Sequence, residues 1–179
     1  MATVPGNRCA AADEAIILAL GGNLTGDYPS VEELLEAALS AFLWAGLTVV
    51  RRSGWWRSAA WPDPRAPAYL NGVVLVETAL APREALRAAQ AVERAFGRTR
   101  GAPNAPRTLD VDLVAYGRLL IAEPGLETPH PRAHQRLFVM GPLAEIAPAW
   151  RHPRLGGTAA EFAASAPIGR DARPVRPGG

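Results

Sequence analysis

Lysine does not occur once in this 179-residue chain; all 19 basic residues are arginine. That absence rules out a Walker-type phosphate loop, a Schiff-base lysine and the lysine of a protein-kinase signature. Any phosphate held here must be held by arginine and metal ions, and the planar guanidinium fork suits phosphate oxygens two at a time. Cysteine is nearly missing too: Cys9 stands alone, so no internal disulfide and no thiolate metal cluster can form. Long apolar runs are missing as well. Residues 15–20 are far too few to span a bilayer, and no charged segment followed by a signal-length apolar stretch precedes them. The cytoplasm is therefore the expected compartment, with no membrane partner. A large charge excess is also lacking, since the net charge is only +2; a surface built to neutralise a nucleic-acid backbone would be clearly basic.

Apolar residues make up 49% of the chain, enough for one globular domain with a real core. The expected division is a leader over 1–14, a single domain over 15–165 and a disordered tail over 166–179, where Pro, Gly and Arg accumulate. Within the domain, the unbroken apolar run at 15–20 reads as a central strand ended by Gly21-Gly22-Asn23. Ser30 and Glu33 form a capping box, followed by Val31, Leu34, Leu35, Ala38, Leu39 and Phe42 at helical spacing and by Gly46 as a stop. A second strand is predicted over 47–53, a long loop over 58–68 and a third strand over 69–78. Pro82 opens a helix running to about Phe96, a loop covers 98–106, and a fourth strand covers 108–116. A short helix is predicted over 159–164. The order predicts an α+β fold: a ferredoxin-like core, an antiparallel sheet with helices packed on one face, and long mobile loops over the site.

The most pointed local pattern is Arg107-Thr-Leu-Asp110-Val-Asp112-Leu113. Residues two apart on a strand share a face, so Asp110 and Asp112 project together while Leu109, Val111 and Leu113 turn to the core. Paired hard oxygens with no Cys or His beside them suit Mg²⁺, which takes one or two carboxylates plus substrate phosphates. Alone, the pattern equally fits two solvated carboxylates. Further along, Gln90 and Glu93 precede Gly97-Arg98-Thr-Arg100, and two arginines between glycines can close on a polyphosphate. His130, held between Pro129 and Pro131, pairs with Arg136 as a second basic clamp; His134 lacks an acidic partner, so no zinc site is expected. Tyr69-Leu-Asn71 offers an aromatic and an amide to a flat heterocycle.

The order of these segments is more specific than any one of them. Gly21-Gly-Asn23, Tyr69-Leu-Asn71, Glu93 with Gly97-Arg98, Pro106-Arg107-Thr-Leu-Asp110-Val-Asp112, Pro129-His130-Pro-Arg132, Arg136-Leu-Phe138 and Pro142-Leu-Ala-Glu145 follow one another in the chain. This succession, over residues 16–148, resembles the 6-hydroxymethyl-7,8-dihydropterin pyrophosphokinase family. The resemblance implies transfer of diphosphate from ATP to the hydroxymethyl group of a dihydropterin, with release of AMP, in tetrahydrofolate synthesis. It implies two Mg²⁺ ions on Asp110 and Asp112, and catalytic arginines at Arg98 and Arg107. Nucleotide contacts fall on Gln90, Arg98, Arg100, Arg107, Leu113, His130 and Arg136. Pterin contacts fall on Ser58, Trp61, Tyr69, Asn71, Asp110 and Phe138, and Glu93 supports the site. The partners implied are small molecules, ATP and the dihydropterin, and the chain is expected to be a monomer. The chain departs from the family pattern at Gly22, at Trp56-Arg57-Ser58-Ala59 and at Asn104-Ala105-Pro106. Two other readings share the expected topology: a phosphotransferase with another acceptor, and an RNA-binding domain. Against the latter stand the small net charge and the missing aromatic-basic RNA-binding strand.

Overall fold

Five consecutive apolar residues, Ile16-Ile17-Leu18-Ala19-Leu20, can be buried only if both faces of their strand are covered, and the computed structural model shows that arrangement. It describes residues 13–60, 63–97 and 106–176. Eight strands occur among them: β1 (Ile16–Gly22), β2 (Thr48–Arg52), β3 (Trp56–Ser58), β4 (Tyr69–Glu77), β5 (Asp110–Tyr116), β6 (Ile121–Glu123), β7 (Leu126–Thr128) and β8 (Arg173–Pro174). The helices are α1 (Val31–Phe42), α2 (Pro82–Ala95), α3 (Leu137–Ile146) and α4 (Ala159–Ser165). The main sheet runs β5-β1-β4-β3-β8, with β2 also on β4, and every pairing is antiparallel. Taking β2 with β3 as one bent edge, the core is the ferredoxin-like β-α-β-β-α-β.

α1 forms where its cap and apolar stripe predict. The Glu33 amide donates to the Ser30 hydroxyl at 3.1 Å, and Leu34, Leu35, Ala38 and Phe42 are buried. Gly46 ends the turn after it at φ +79°, a left-handed conformation that a Cβ disfavours. This stripe, with Ala85, Ala89 and Val92 of α2, packs on Leu18, Leu20, Val74, Val76, Val111 and Leu113.

The opposite face differs from the expectation of helices on one side only. There Ile17, Ala19, Val73 and Leu75 meet Met140, Leu143 and Ile146 of α3, together with Trp150 and Ala159. Burying a residue such as Leu143 contributes roughly 1.5–3 kcal/mol, so this second layer adds materially to the core.

The tail also differs from expectation. Residues 166–176 are placed, Ala172 is buried, and β8 pairs with the free edge of β3. The cause is the unpaired backbone of that edge, which Pro- and Gly-rich sequence can still satisfy over two residues. The expected boundary at 165 therefore falls inside packed structure. The leader over 1–12 and the end over 177–179 lie outside the described residues, as do Trp61, Arg98 and Arg100 and much of the loops expected to cover the site.

His152 pins the loop before α4. Its Nδ1 accepts the amides of Arg154 and Leu155, each at 3.2 Å, and its ring meets those of His134, Trp150 and Phe162 edge-on. Burial, then the nearby His134, Arg154 and Arg118, push it down from 6.5 to about 4. The fold thus binds fewer protons here than the unfolded chain does, so this stability is fully present above pH 6.5 and is lost as pH falls through about 4. The melting temperature should drop across that window. His152→Asn, which keeps an acceptor but does not titrate, should show a flatter drop; identical profiles would remove His152 from the account.

Candidate active site

Register assembles the site. On β1, Gly21 stands between Asp110 of β5 and Asn71 of β4, while Ala19 stands beside Asp112; Asn71 in turn faces Trp56 of β3, and Tyr69 faces Ser58. Paired residues share a face, and Ala19, Val73 and Leu75 identify it as the face covered by α3. Asp110, Asp112, Asn71, Tyr69 and Ser58 therefore project to one side of the sheet, toward the end where Arg136 and Phe138 open α3. Gly21 leaves the floor open: a Cβ there would lie 3.0 Å from Asn71 Oδ1.

The aspartates sit among cations. Arg107 donates to Asp110 Oδ2 at 2.7 Å, and Arg136 lies 3.9 Å from Asp112 Oδ2. The Arg136 guanidinium also stands over the Phe138 ring, 5.7 Å from its centroid. Burial outweighs the pull of Asp112 and lowers the Arg136 pKa from its ordinary value. Between the acids, the Val111 amide donates to Glu93 Oε1 at 2.6 Å; Glu93 is buried, with 5% of its surface exposed, and ties α2 to the edge strand that carries both acids. Among the described residues no three His, Cys, Asp or Glu side chains gather to hold a metal ion. The donor set is a pair of hard oxygens already balanced by guanidinium charge, which fits Mg²⁺ sharing its shell with substrate phosphates.

A cavity of about 280 Å³ opens beside the pair, lined by Asp112, Leu113, His130 and Pro131, by the β6–β7 hairpin (Glu123, Gly125, Leu126, Glu127) and by Leu86 of α2. Gln90 lies one helical turn beyond Leu86. Burial first, then Arg136 and Arg132, push His130 down to about 4. Its imidazole is thus neutral at pH 7, and since Nδ1 accepts the Arg132 amide at 3.1 Å, the proton is assigned to Nε2. A neutral N–H donor lining this cavity can serve a phosphate oxygen of a larger ligand.

At the other end of the row, Asn71 Nδ2 donates to Ser58 Oγ at 3.0 Å and more weakly to the Trp56 carbonyl at 3.3 Å. The amide is thereby oriented with Oδ1 toward the open floor at Gly21, an acceptor for a ring N–H. Trp56 is fixed by Glu145 Oε1 at 2.8 Å and packs on Gly141, where a Cβ would come within 2.5 Å of the indole.

Two residues of the family succession to which the sequence assigns no role hold the site together. Glu145, on α3, also accepts the Gly54 amide at 3.0 Å and so clamps the bend between β2 and β3. Asn23, with 3% of its surface exposed, accepts the Arg107 amide at 3.0 Å, donates to the Pro67 carbonyl at 2.9 Å and sends its own amide to the Arg107 carbonyl at 3.0 Å. It thereby ties the exit of β1 to Arg107 and to the end of the 58–68 loop. A polar residue placed directly after a glycine pair at a strand end was the available signal for it. Among the expected residues Trp61, Arg98 and Arg100 lie outside the described residues, Gln90 lies on α2 one turn after the cavity residue Leu86, and Arg107 rests on Asp110. The others lie on this face of the sheet, at the start of α3 or along the cavity.

The sequence profile of the family described as 7,8-dihydro-6-hydroxymethylpterin-pyrophosphokinase matches residues 17–148. The 2-amino-4-hydroxy-6-hydroxymethyldihydropteridine pyrophosphokinase of Synechocystis sp. is 43% identical over 142 residues, covering 79% of this chain and 71% of its own. The protein of the same name from Pseudomonas aeruginosa is 38% identical over 141 residues, covering 78% and 85%. Among solved structures, the Plasmodium falciparum HPPK-DHPS with pterin and p-hydroxybenzoate superposes with a TM-score of 0.65 at 12% identity. That match covers 84% of this chain but only 43% of the other, so it speaks for the fold alone.

Proposed function

Because this chain belongs to the 7,8-dihydro-6-hydroxymethylpterin-pyrophosphokinase family, and is thus an ATP-using pyrophosphokinase of folate biosynthesis acting on small-molecule substrates, we propose that the row Asp110–Gly21–Asn71 is the line along which its two substrates meet. The observation that carries this reading is the register itself, which sets a paired-carboxylate anchor and a hydrogen-bonding amide on one face, separated by a glycine. ATP takes the cavity beside Leu113 and His130. The dihydropterin lies over Gly21, its ring N–H on Asn71 Oδ1 and its faces toward Tyr69 and Phe138. Ser58 orients the amide, and Trp61 belongs to the same loop.

Asp110 and Asp112 would hold Mg²⁺, two ions being the expected number, and the metal would supply charge neutralisation to the triphosphate during transfer. The pterin hydroxymethyl oxygen forms its bond to the β-phosphorus as the bond from that phosphorus to the AMP oxygen breaks, and the hydroxyl proton is released. His130 Nε2–H donates to a phosphate oxygen. Arg107 and Arg136 place cations where charge moves, with Gln90, Arg98 and Arg100 completing the nucleotide contacts. Donors fixed before reaction stabilise developing charge with little reorganisation. No described helix is long and apolar enough to cross a membrane, and the reading takes the chain as a cytoplasmic monomer folded as one domain.

The test is direct. Protein incubated with Mg²⁺, ATP and 6-hydroxymethyl-7,8-dihydropterin should release AMP in step with pterin diphosphate. ADP in place of AMP, or no dependence on the pterin, would overturn the assignment.

A further inference from the structure

Residues 168–171 touch Phe138 on one side of the proposed pterin site and the residue after Ser58 on the other, although they contribute nothing to the ladder of the central strands. The Ile168 amide donates to the Gln135 carbonyl at 3.0 Å, and the Ile168 carbonyl accepts the Leu137 amide at 2.8 Å. That amide is one of the first-turn donors that α3 cannot satisfy from within, and no side chain caps this helix. Gly169 follows at φ +71° against the Phe138 ring, where a Cβ would come to 2.5 Å from Cδ1. Two residues on, Asp171 Oδ2 accepts the amide of Ala59, where the 58–68 loop leaves β3. Only then does the chain enter β8 and pair with Trp56 and Arg57.

We propose that this segment is a strap setting the gap between Phe138 and the backbone at Ala59, and that Asp171 is a positioning residue for the dihydropterin. It acts through the Ala59 amide and touches no reacting atom. The proposal rests on the pterin-site reading above. Two features separate it from a simple tail anchor. β8 and the Val175 amide, which reaches the Trp55 carbonyl at 2.8 Å, already fasten the chain end. The Asp171 bond adds no strand pairing and lands on the first loop residue after Ser58, the side chain that orients Asn71. Without it, that backbone can drift and carry Ser58, which pairs with Tyr69, so a ring held between Tyr69 and Phe138 loses its spacing while the nucleotide cavity, on the far side of Asp112, is untouched.

The test compares steady-state AMP release by the full chain carrying Asp171→Ala, Asp171→Asn or Asn71→Ala. Losing one hydrogen bond to a charged acceptor at a solvent-exposed position should raise the pterin KM about five- to tenfold. The ATP KM and the melting temperature should stay put, and Asp171→Asn, which keeps an acceptor oxygen, should restore most of the loss. An unchanged pterin KM in Asp171→Ala beside a raised one in Asn71→Ala would overturn the strap alone. An unchanged pterin KM in Asn71→Ala would overturn the site reading and the strap with it. Equal rises in both KM values on Asp171→Ala would reduce the segment to a structural support.

Discussion

Asp112→Ala should lower AMP release by about a thousandfold or more, because a divalent cation on a phosphoryl group contributes several kcal/mol to the transition state. Structure explains why the loss should be functional rather than structural. Asp112 projects from β5 into the cavity, not into the apolar layer, and its ion pair with Arg136 spans 3.9 Å with 40% of the Asp112 side chain exposed. Such a pair contributes roughly 0–1 kcal/mol, so the melting temperature should move by only a few degrees. Asp112→Asn, which preserves shape and removes charge, should be nearly as inactive and should need far more Mg²⁺ for whatever turnover remains. Undiminished turnover in either variant would sink the metal assignment. Asp110→Ala should lose comparable activity and also remove the carboxylate that Arg107 meets at 2.7 Å.

That this pair was readable in advance follows from strand geometry. Asp110 and Asp112 are two apart between apolar neighbours, so the period alone sends them to one face. α1 and α2 were readable for the same kind of reason, since each carries a clean stripe and a boundary residue. The second helical layer was half legible. Ile16 to Leu20 and Val73 to Val76 are apolar at every position, which implies cover on both faces, yet α3 carries no stripe to nominate it. Val139, Met140, Gly141, Pro142, Leu143 and Ile146 are buried around most of its circumference, and Pro142 sits inside it. β3 and β8 are too short for any period to show. Glu145 and Asp171 lie 89 and 112 residues from the groups they bind; only the fold brings such partners together. Asn71 offered its amide from sequence, but which end faces the ligand depends on Ser58, thirteen residues away across a strand pair.

Arg107→Ala should lower kcat by about two to three orders of magnitude, the range seen when one donor to a developing charge is removed, while leaving the pterin KM within about threefold. The split follows from how this residue is held. Its backbone is clamped on both sides of the peptide, the amide by Asn23 Oδ1 and the carbonyl by the amides of Asn23 and Leu24 at 3.0 and 3.2 Å. The Cα is thereby fixed beside the exit of β1, and what can move is the side chain, whose guanidinium now rests on Asp110. With nucleotide in the cavity the same fork can turn to the oxygens of the group in transfer, a contact made more fully as charge builds there than in the ground state. Arg107→Lys should recover only part of the rate, because an ammonium is a point charge and cannot bind two oxygens in a plane. Removing Asp110's partner without touching the Asn71 end of the row explains why pterin binding should be spared. If kcat and pterin affinity instead fell by equal factors, Arg107 would be a binding residue, and charge stabilisation would have to come from Arg136.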